Sequence, residues 1–331
     1  MSLPTTRRRL RFDGKRVVLE EEGLAPPGPQ EARVRSEWTE ISIGTEIAQI
    51  NEAAKEGKAL GIGYSHVGIV EAVGAEVRGV EVGRRVLSSA AHASAANVPA
   101  NGVNLLPVPE GLDPALATLG VLGSVAYHIV ERGAPKLLEP TAVVGQGVVG
   151  TLILQLAKQC GARPLIALDA DAKRLALALE LGADAVVDVS KEDAAARVKE
   201  LTGGKGVTCC IEAAANHRAY ETAISILALR GRLVLASAVY EPVSFRIDLD
   251  LIHRELTLIG AHQPKVPVEE NPYYPYTMAL NRTATMDGIS AGKLKVAHLI
   301  SHRIKPEEAP DVYEKLRAKD RSFVGVAIDW R

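Results

Sequence analysis

Within this 331-residue chain, the run Gly145-Gln146-Gly147-Val148-Val149-Gly150 most directly implies chemistry. It follows an apolar stretch and opens the helix-like segment Thr151-Leu152-Ile153-Leu154. In that setting Gly145 permits a tight turn, Gly147 leaves room for a pyrophosphate, and Gly150 allows a helix to pack closely on a strand. The next apolar stretch ends in Leu168-Asp169. A carboxylate at that spacing accepts hydrogen bonds from adenosine ribose hydroxyls and repels a 2'-phosphate at close range. The pattern predicts a dinucleotide site, with NAD as the cofactor in preference to NADP. Arg174 either flanks the adenine ribose or is an ordinary solvated helix residue.

Such a site has to be held by a parallel sheet with helices on both faces. From about Leu119 the sequence alternates apolar runs with helix-period segments, predicting strands at 141–144, 164–168, 185–188, 207–211, 232–237 and 256–260. Six strands suit a complete doubly wound dinucleotide-binding sheet. The first third is instead rich in β-branched residues and turn signals. Strands are expected at 16–21, 32–36, 67–73 and 84–89, separated by Pro26-Pro27-Gly28-Pro29, Gly74 and Gly83. After Gly260 come Pro264, Pro267, Pro272 and Pro275, a helical stretch at 281–291 and a final strand at 322–329. The expected organisation is α/β, with residues 1–118 and 264–331 forming a mostly β substrate domain. A nucleotide domain at 119–263 is inserted in it, and the active site is expected in the cleft between the two.

The order of elements, the motif from Val143 to Gly150 and the acidic Asp169 resemble the medium-chain dehydrogenase/reductase superfamily. The segment Gly63-Tyr64-Ser65-His66-Val67-Gly68-Ile69-Val70-Glu71-Ala72-Val73-Gly74 is similar to its Gly-His-Glu stretch and the glycine-rich strand that follows. Within the superfamily the spacing is closest to the polyol and sorbitol dehydrogenases. Their zinc ligands come from a Cys-Gly-Thr-Asp segment, the Gly-His-Glu segment and a later glutamate. Those positions align here with Ile43-Gly44-Thr45-Glu46, Gly63-Tyr64-Ser65 and Val121. Trp38 to Glu46, taken with Gly63-Tyr64-Ser65, resembles the bacteriochlorophyllide dehydrogenase-like members, without carrying over their pigment substrate. The resemblance implies a GroES-like, mostly β catalytic domain beside a Rossmann six-stranded sheet, and hydride transfer between nicotinamide and a secondary alcohol or ketone.

A zinc site needs about three Cys, His or carboxylate ligands. Ile43 and Val121 cannot serve, Tyr64 is a poor donor, and no metal is expected; a site built from Glu46 and His66 is the alternative. His298 and His302 are four apart, but in a strand and connection that spacing does not bring rings together. The cysteine-rich structural lobe of zinc enzymes is also missing, since 88–98 contains no cysteine. Without a Lewis acid a positioned donor must serve the substrate oxygen. The resemblance puts Tyr64 in a ligand's place and Thr45 in the place of the relay hydroxyl. Glu46 is expected beside Tyr64, keeping the phenol protonated, and Glu46 or His66 would accept the proton in the oxidative direction.

Each of these residues also has a plainer reading. Tyr64 could fill the volume of the lost metal site, and Glu46 and His66 could be satisfied structural residues. Further cofactor contacts are expected from Ser124 at the nicotinamide edge, from Ala213 and Ser237 at strand ends, and from His262 after the last sheet strand. His128 reads as helix packing. Tyr273, Tyr274 and Tyr276 either line a loop over the cleft or form an interface patch.

With 47% hydrophobic residues and a net charge of -1, the chain has enough apolar surface for two cores and no electrostatic reason to bind nucleic acid or an anionic membrane. A small-molecule substrate is expected. Apolar runs such as 151–157 are shorter than the roughly 20 residues that span a bilayer. Arg7, Arg8, Arg9 and Arg11 precede no apolar h-region and read as a lead-in to the first strand. Cys160, Cys209 and Cys210 form no paired framework, fitting a reduced, cytoplasmic setting, and Cys160 reads as a small buried residue. Strands 232–237 and 243–247 resemble the edge by which relatives self-associate, so a homodimer or homotetramer is expected. The leading expectation is a zinc-independent, NAD-dependent dehydrogenase. The alternatives are an NADPH-dependent quinone or enoyl reductase and a nucleotide-binding protein without turnover.

Overall fold

The computed structural model of the chain describes residues 3–237, 243–244, 246–271 and 274–331. It divides into two compact units, Met1–Ser124 with Pro267–Arg331, and Val125–Val266. The sequence had put these boundaries near 119 and 263.

The first unit opens with strands β1 (Thr6–Phe12), β2 (Val17–Gly23) and β3 (Glu31–Ile41), then helix α1 (Ile43–Lys55). Strands β4 (Leu60–Gly61), β5 (His66–Val73), β6 (Arg85–Ser88), β7 (Ala95–Pro99) and β8 (Leu106–Pro107) follow, then the short helix α2 (Pro114–Ala117). The basic cluster near the start belongs to β1, where Arg7 and Arg9 pair with Glu22, and Arg11 with Glu20, on the antiparallel β2. Alternation along both strands brings these charges to one face of the hairpin. The other face supplies Leu10, Phe12 and Val17 to a core shared with Ile41, Ile50 and Ile62.

Helix α3 (Leu119–Gly133) leads into the second unit: β9 (Thr141–Val144), α4 (Val148–Gln159), β10 (Leu165–Asp169), α5 (Ala172–Glu180), β11 (Ala185–Asp188), α6 (Ala194–Leu201), β12 (Val207–Glu212), α7 (His217–Ser225), β13 (Leu227–Leu235) and β14 (Thr257–Gly260). The six strands form one sheet in the order β11-β10-β9-β12-β13-β14, parallel throughout. Strand order reverses on either side of β9, which opens a crevice at the carboxyl ends of β9 and β12. Their inward residues Ala142, Val144, Ile166, Leu168, Val187, Cys210 and Leu233 form the core on one face. β-branched and aliphatic side chains make these short runs recognisable as strands buried on both faces.

The tail returns to the first unit through α8 (Met278–Ser290), β15 (His302–Ile304), α9 (Ala309–Arg317) and β16 (Val326–Asp329). β16 runs antiparallel to β3, with Ala327 opposite Glu40, and Tyr313 of α9 is fully buried in the core with Ile50 and Val326.

Several expectations are corrected. Cys160 is exposed, because it caps the C-terminus of α4 and not its packed face. The segment 114–133 is apolar and long enough to span a membrane by composition, contrary to the reading of short apolar runs, and its most apolar window is 72% buried within the fold. Among the described residues of 243–247 there is no strand; a π-helical turn, Ile247–Ile252, occupies this part of the chain. Strand β13 begins at Leu227, earlier than expected, with Arg230 in the left-handed region at φ +60°. Tyr273 lies outside the described residues, while Tyr274 and Tyr276 pack edge to face at 5.6 Å.

Candidate functional site

The nucleotide end of the second unit is built by the turn from β9 into α4. Gly145 takes φ +92°, and a Cβ there would stand 2.7 Å from the Ala214 Cβ. A Cβ on Gly150 would come within 1.9 Å of the Gly145 carbonyl oxygen, so the fold itself requires glycine at both positions. Gly147, the N-cap of α4, differs: its absent Cβ would meet nothing within 4 Å, and no side chain caps the helix. Open space against uncapped N–H groups suits a pyrophosphate. The Asp169 carboxylate at the end of β10 accepts from the backbone N–H of Gln146 at 2.7 Å and of Asp171 at 3.0 Å. It is thereby held beside the glycine turn with lone pairs to spare. Val148 and Val149 are half-buried in the first turn of α4, and Gln146 is buried with its amide donating to the Val143 carbonyl at 2.9 Å. These residues fit a dinucleotide.

A Gly147→Ala variant is expected to keep its unfolding free energy within about 1 kcal/mol. It should bind nucleotide at least about tenfold more weakly, since a charge-assisted phosphate contact contributes roughly 1.5–3 kcal/mol. Denaturant titration and isothermal calorimetry on the same sample check both halves.

The other expected cofactor residues are placed less uniformly. Ala213 follows β12 and donates its N–H to the Val144 carbonyl at 2.8 Å, flanking the glycine turn. The Ser237 hydroxyl donates to the Glu212 carboxylate, and its carbonyl accepts from the Tyr220 hydroxyl at 2.8 Å. Arg174 is half-buried in α5, with its Nε unpartnered. His262 is exposed just after β14 and close enough for its charge to act on His128. Ser124 is fully buried, and its hydroxyl donates back to the Val121 carbonyl at 2.7 Å.

In the first unit a polar cluster forms where α1 starts. Ser42 is the N-cap of α1, yet its hydroxyl does not cap the helix; it accepts from the Tyr64 hydroxyl. The Glu46 carboxylate takes over that end of the helix, accepting the Ser42 N–H at 2.7 Å. Its other oxygen accepts from the Tyr313 hydroxyl at 2.5 Å and lies 3.2 Å from His92 Nε2. Glu46, His92 and Tyr313 are buried. His92 Nδ1 has no partner, so the ring is best placed as the tautomer that donates from Nε2 to Glu46.

Burial is the main cause that raises the Tyr64 phenol above its ordinary pKa. Bonding with Ser42 and Thr45 works against the rise, while the charges of Glu46 and Glu40 add to it. The repulsion expected from Glu46 is present, but it is smaller than desolvation. Tyr64 itself is half-buried and Thr45 is exposed on the first turn of α1.

His66 is corrected as a candidate base. It is fully buried on β5, with Nε2 at 2.8 Å from Ser36 Oγ and Nδ1 at 2.7 Å from Ser88 Oγ. Burial pushes its pKa down to about 3, so the ring stays neutral with both nitrogens engaged inside the sheet. Sequence reasoning missed Ser42, His92 and Tyr313, and Glu40 of β3, a buried carboxyl with one unpartnered oxygen. Helix α1 was not expected from the sequence, and only the return of the tail brings Tyr313 to Glu46, which no local spacing encodes.

The donor set does not fit zinc. Two of the three positions aligned with zinc ligands offer only hydrocarbon, Ile43 and Val121. Glu46 and His66 are each committed to other partners. Among the described residues no group of three or more His, Cys, Asp or Glu side chains could hold a metal ion.

The family model for zinc-binding dehydrogenases matches residues 148–277. An alcohol dehydrogenase of Cupriavidus necator is 27% identical over 266 residues, covering 66% of this chain and 72% of the relative. A zinc-binding dehydrogenase from Sinorhizobium meliloti 1021, solved bound to NADP, superposes with a TM-score of 0.81 at 23% identity, covering 98% of this chain and 100% of that one. An alcohol dehydrogenase from Escherichia coli CFT073, solved with NADH, gives a TM-score of 0.81 at 20% identity with the same coverage of both chains.

Proposed function

Because this chain belongs to the zinc-type medium-chain dehydrogenase/reductase superfamily, we propose that it is an oxidoreductase that moves a hydride between NAD(H) and a secondary alcohol or ketone without zinc. Bound nicotinamide would supply or accept the hydride. Gly147 and the N-terminus of α4 would hold its pyrophosphate, and Asp169 its adenosine ribose. Asp169 also supports NAD over NADP, since a fixed carboxylate repels the 2'-phosphate. Tyr64 serves the substrate oxygen. As a half-buried phenol whose pKa is raised chiefly by burial, it remains a proton donor at neutral pH, which suits carbonyl reduction.

The observation that carries this reading is the glycine turn, with open space at Gly147 and the Asp169 carboxylate fixed beside it; the absence of zinc rests on the resemblance that puts Ile43, Tyr64 and Val121 at ligand positions. The test is thermal unfolding with NAD(H) and with NADP(H), metal content of the same sample, and turnover on a panel of secondary alcohols and ketones. NAD(H) at 100-fold its Kd is expected to stabilise by about 2.7 kcal/mol, with no stoichiometric zinc. Preference for NADP(H), bound zinc, or nucleotide binding without turnover on the panel would each overturn a stated part.

We further propose that the protein self-associates through the second unit. Leu229 of β13 and Ile247 and Ile252 of the π-helical turn that precedes the edge strand β14 are more than 60% exposed, and covering a sheet edge satisfies its free backbone groups.

A further inference from the structure

The hydroxyl of Ser42 serves Tyr64 because another residue has taken over its usual task. A serine at the N-cap of a helix normally accepts a backbone N–H from the first turn. The Ser42 side chain makes no such bond to α1. Glu46 pins this residue instead: its carboxylate accepts the Ser42 N–H at 2.7 Å, and its own N–H donates to the Ser42 carbonyl at 2.9 Å. Glu46 in turn accepts from the Tyr313 hydroxyl at 2.5 Å and lies 3.2 Å from His92 Nε2. Three buried side chains, from α1, α9 and the segment before β7, therefore fix the backbone that carries the Ser42 hydroxyl.

The oxygen of that hydroxyl accepts from the Tyr64 O–H. A hydroxyl has one proton and two lone pairs, so this bond uses a lone pair of Ser42, and the serine proton is not committed to the helix. Rotation about the Cβ–Oγ bond reverses the hydrogen bond without moving either oxygen. The state of the phenol decides its direction. A neutral Tyr64 can donate, whereas a phenolate has only lone pairs and must be donated to. The reversed bond is the stronger one, since a hydrogen bond to an ionised oxygen is roughly twice as strong as a neutral one. Ser42 is buried, where that gain is least diluted by water. Thr45 also bonds Tyr64, but from an exposed position in the first turn of α1.

We propose that Ser42 is a catalytic residue of this site, a reversible hydroxyl that releases the Tyr64 proton toward the substrate oxygen and then donates to the phenolate left behind. The inference rests on the reading of Tyr64 as the donor to a carbonyl oxygen. As the carbonyl carbon receives hydride, the Tyr64 O–H bond breaks and its proton goes to the carbonyl oxygen, giving the alcohol. The electron pair of that bond stays on the phenolate, toward which Ser42 turns its own proton without giving it up. One proton from solvent then restores the phenol, and Ser42 returns to accepting.

The test begins without substrate. In Ser42→Ala the phenolate loses its buried donor, so Tyr64 should titrate about one pH unit or more above its wild-type position, a loss of about tenfold or more in phenolate stabilisation. The titration is read as the ultraviolet difference between each protein and its Tyr64→Phe counterpart. The ionisable groups around Tyr64 are Glu46 on α1, Glu40 on β3 and Tyr313 on α9, with His92 against Glu46. All are the same in both proteins, so the shift belongs to the hydroxyl. Ser42→Thr keeps a hydroxyl and should titrate like the wild type. On the ketone panel, kcat of Ser42→Ala should fall about tenfold with KM unchanged, and its alkaline limb should move to higher pH with the titration. A Ser42 that only packs would leave both the Tyr64 titration and that limb where they were, and this result overturns the proposal. Should Ser42→Ala fail to fold, Ser42→Gly removes the same hydroxyl at a position where glycine is tolerated. A shifted titration with Tyr64→Phe still at wild-type kcat would overturn the reading of Tyr64 and the catalytic role of Ser42 with it. An unshifted titration in a protein that depends on Tyr64 would sink the role of Ser42 alone.

Discussion

Tyr64→Phe is expected to lower ketone reduction about 10²- to 10⁴-fold while leaving NAD(H) affinity and the unfolding midpoint nearly unchanged. The loss should fall on kcat, because the phenol acts on charge that develops as the hydride arrives. Phe keeps the ring in its half-buried slot and removes only the oxygen, which in the wild type donates to Ser42. Ser42 loses one hydrogen-bond donor near an exposed Thr45, a change worth only about 1 kcal/mol. The direction of the phenol's pKa sharpens the expectation. Since burial raises it, the donor form persists through neutral pH, and reduction by the wild type should decline only toward alkaline pH. If Tyr64→Phe retains wild-type kcat, the tyrosine merely occupies volume and another hydroxyl, Thr45 first, must serve the oxygen. Steady-state kinetics on the best ketone of the panel decides between them.

Asp169→Ala should weaken NAD(H) binding by about 10- to 100-fold, as expected for losing charged hydrogen bonds of roughly 1.5–3 kcal/mol to ribose hydroxyls. NADP(H) should lose much less, or gain, because the repelling charge leaves with the side chain. The quantity to measure is the ratio of the two dissociation constants, by calorimetry. Asp169 also receives the Gln146 and Asp171 N–H groups, so part of the NAD(H) loss reflects a looser glycine turn. That part affects both cofactors equally and cancels in the ratio. A ratio unchanged by the substitution would mean that discrimination is made elsewhere, with Arg174 the nearest candidate.

The nucleotide sheet was legible in the sequence because its determinants are local. Short aliphatic runs, turn glycines and the spacing from Gly145 to Asp169 all lie within a strand-helix-strand unit, and β9, β10, β11, β12 and β14 fall within a residue of where the pattern put them. The polar cluster at Glu46 was not, since its partners come from 92 and 313 and meet only after the tail has folded back. Periodicity reports which face of an element is buried, not which distant polar group it will meet. His66 illustrates the same limit: it could be read as a satisfied strand histidine, but the two serines that satisfy it stand on β3 and β6. Ser42 was hidden for a different reason. A serine before a helix reads as a cap, and here the hydroxyl is used by Tyr64 while Glu46 does the capping.

The three glycines of the turn answer to different masters. At 145 and 150 a methyl group would strike protein atoms, whereas at 147 it would meet nothing within 4 Å. The chain can therefore fold without glycine at 147, and only an occupant of the space beside it makes the residue necessary. Among descendants of this protein that stopped using a nucleotide, position 147 would be free to drift while its two neighbours stayed fixed. A glycine retained there is then a record of continued use, readable without an assay.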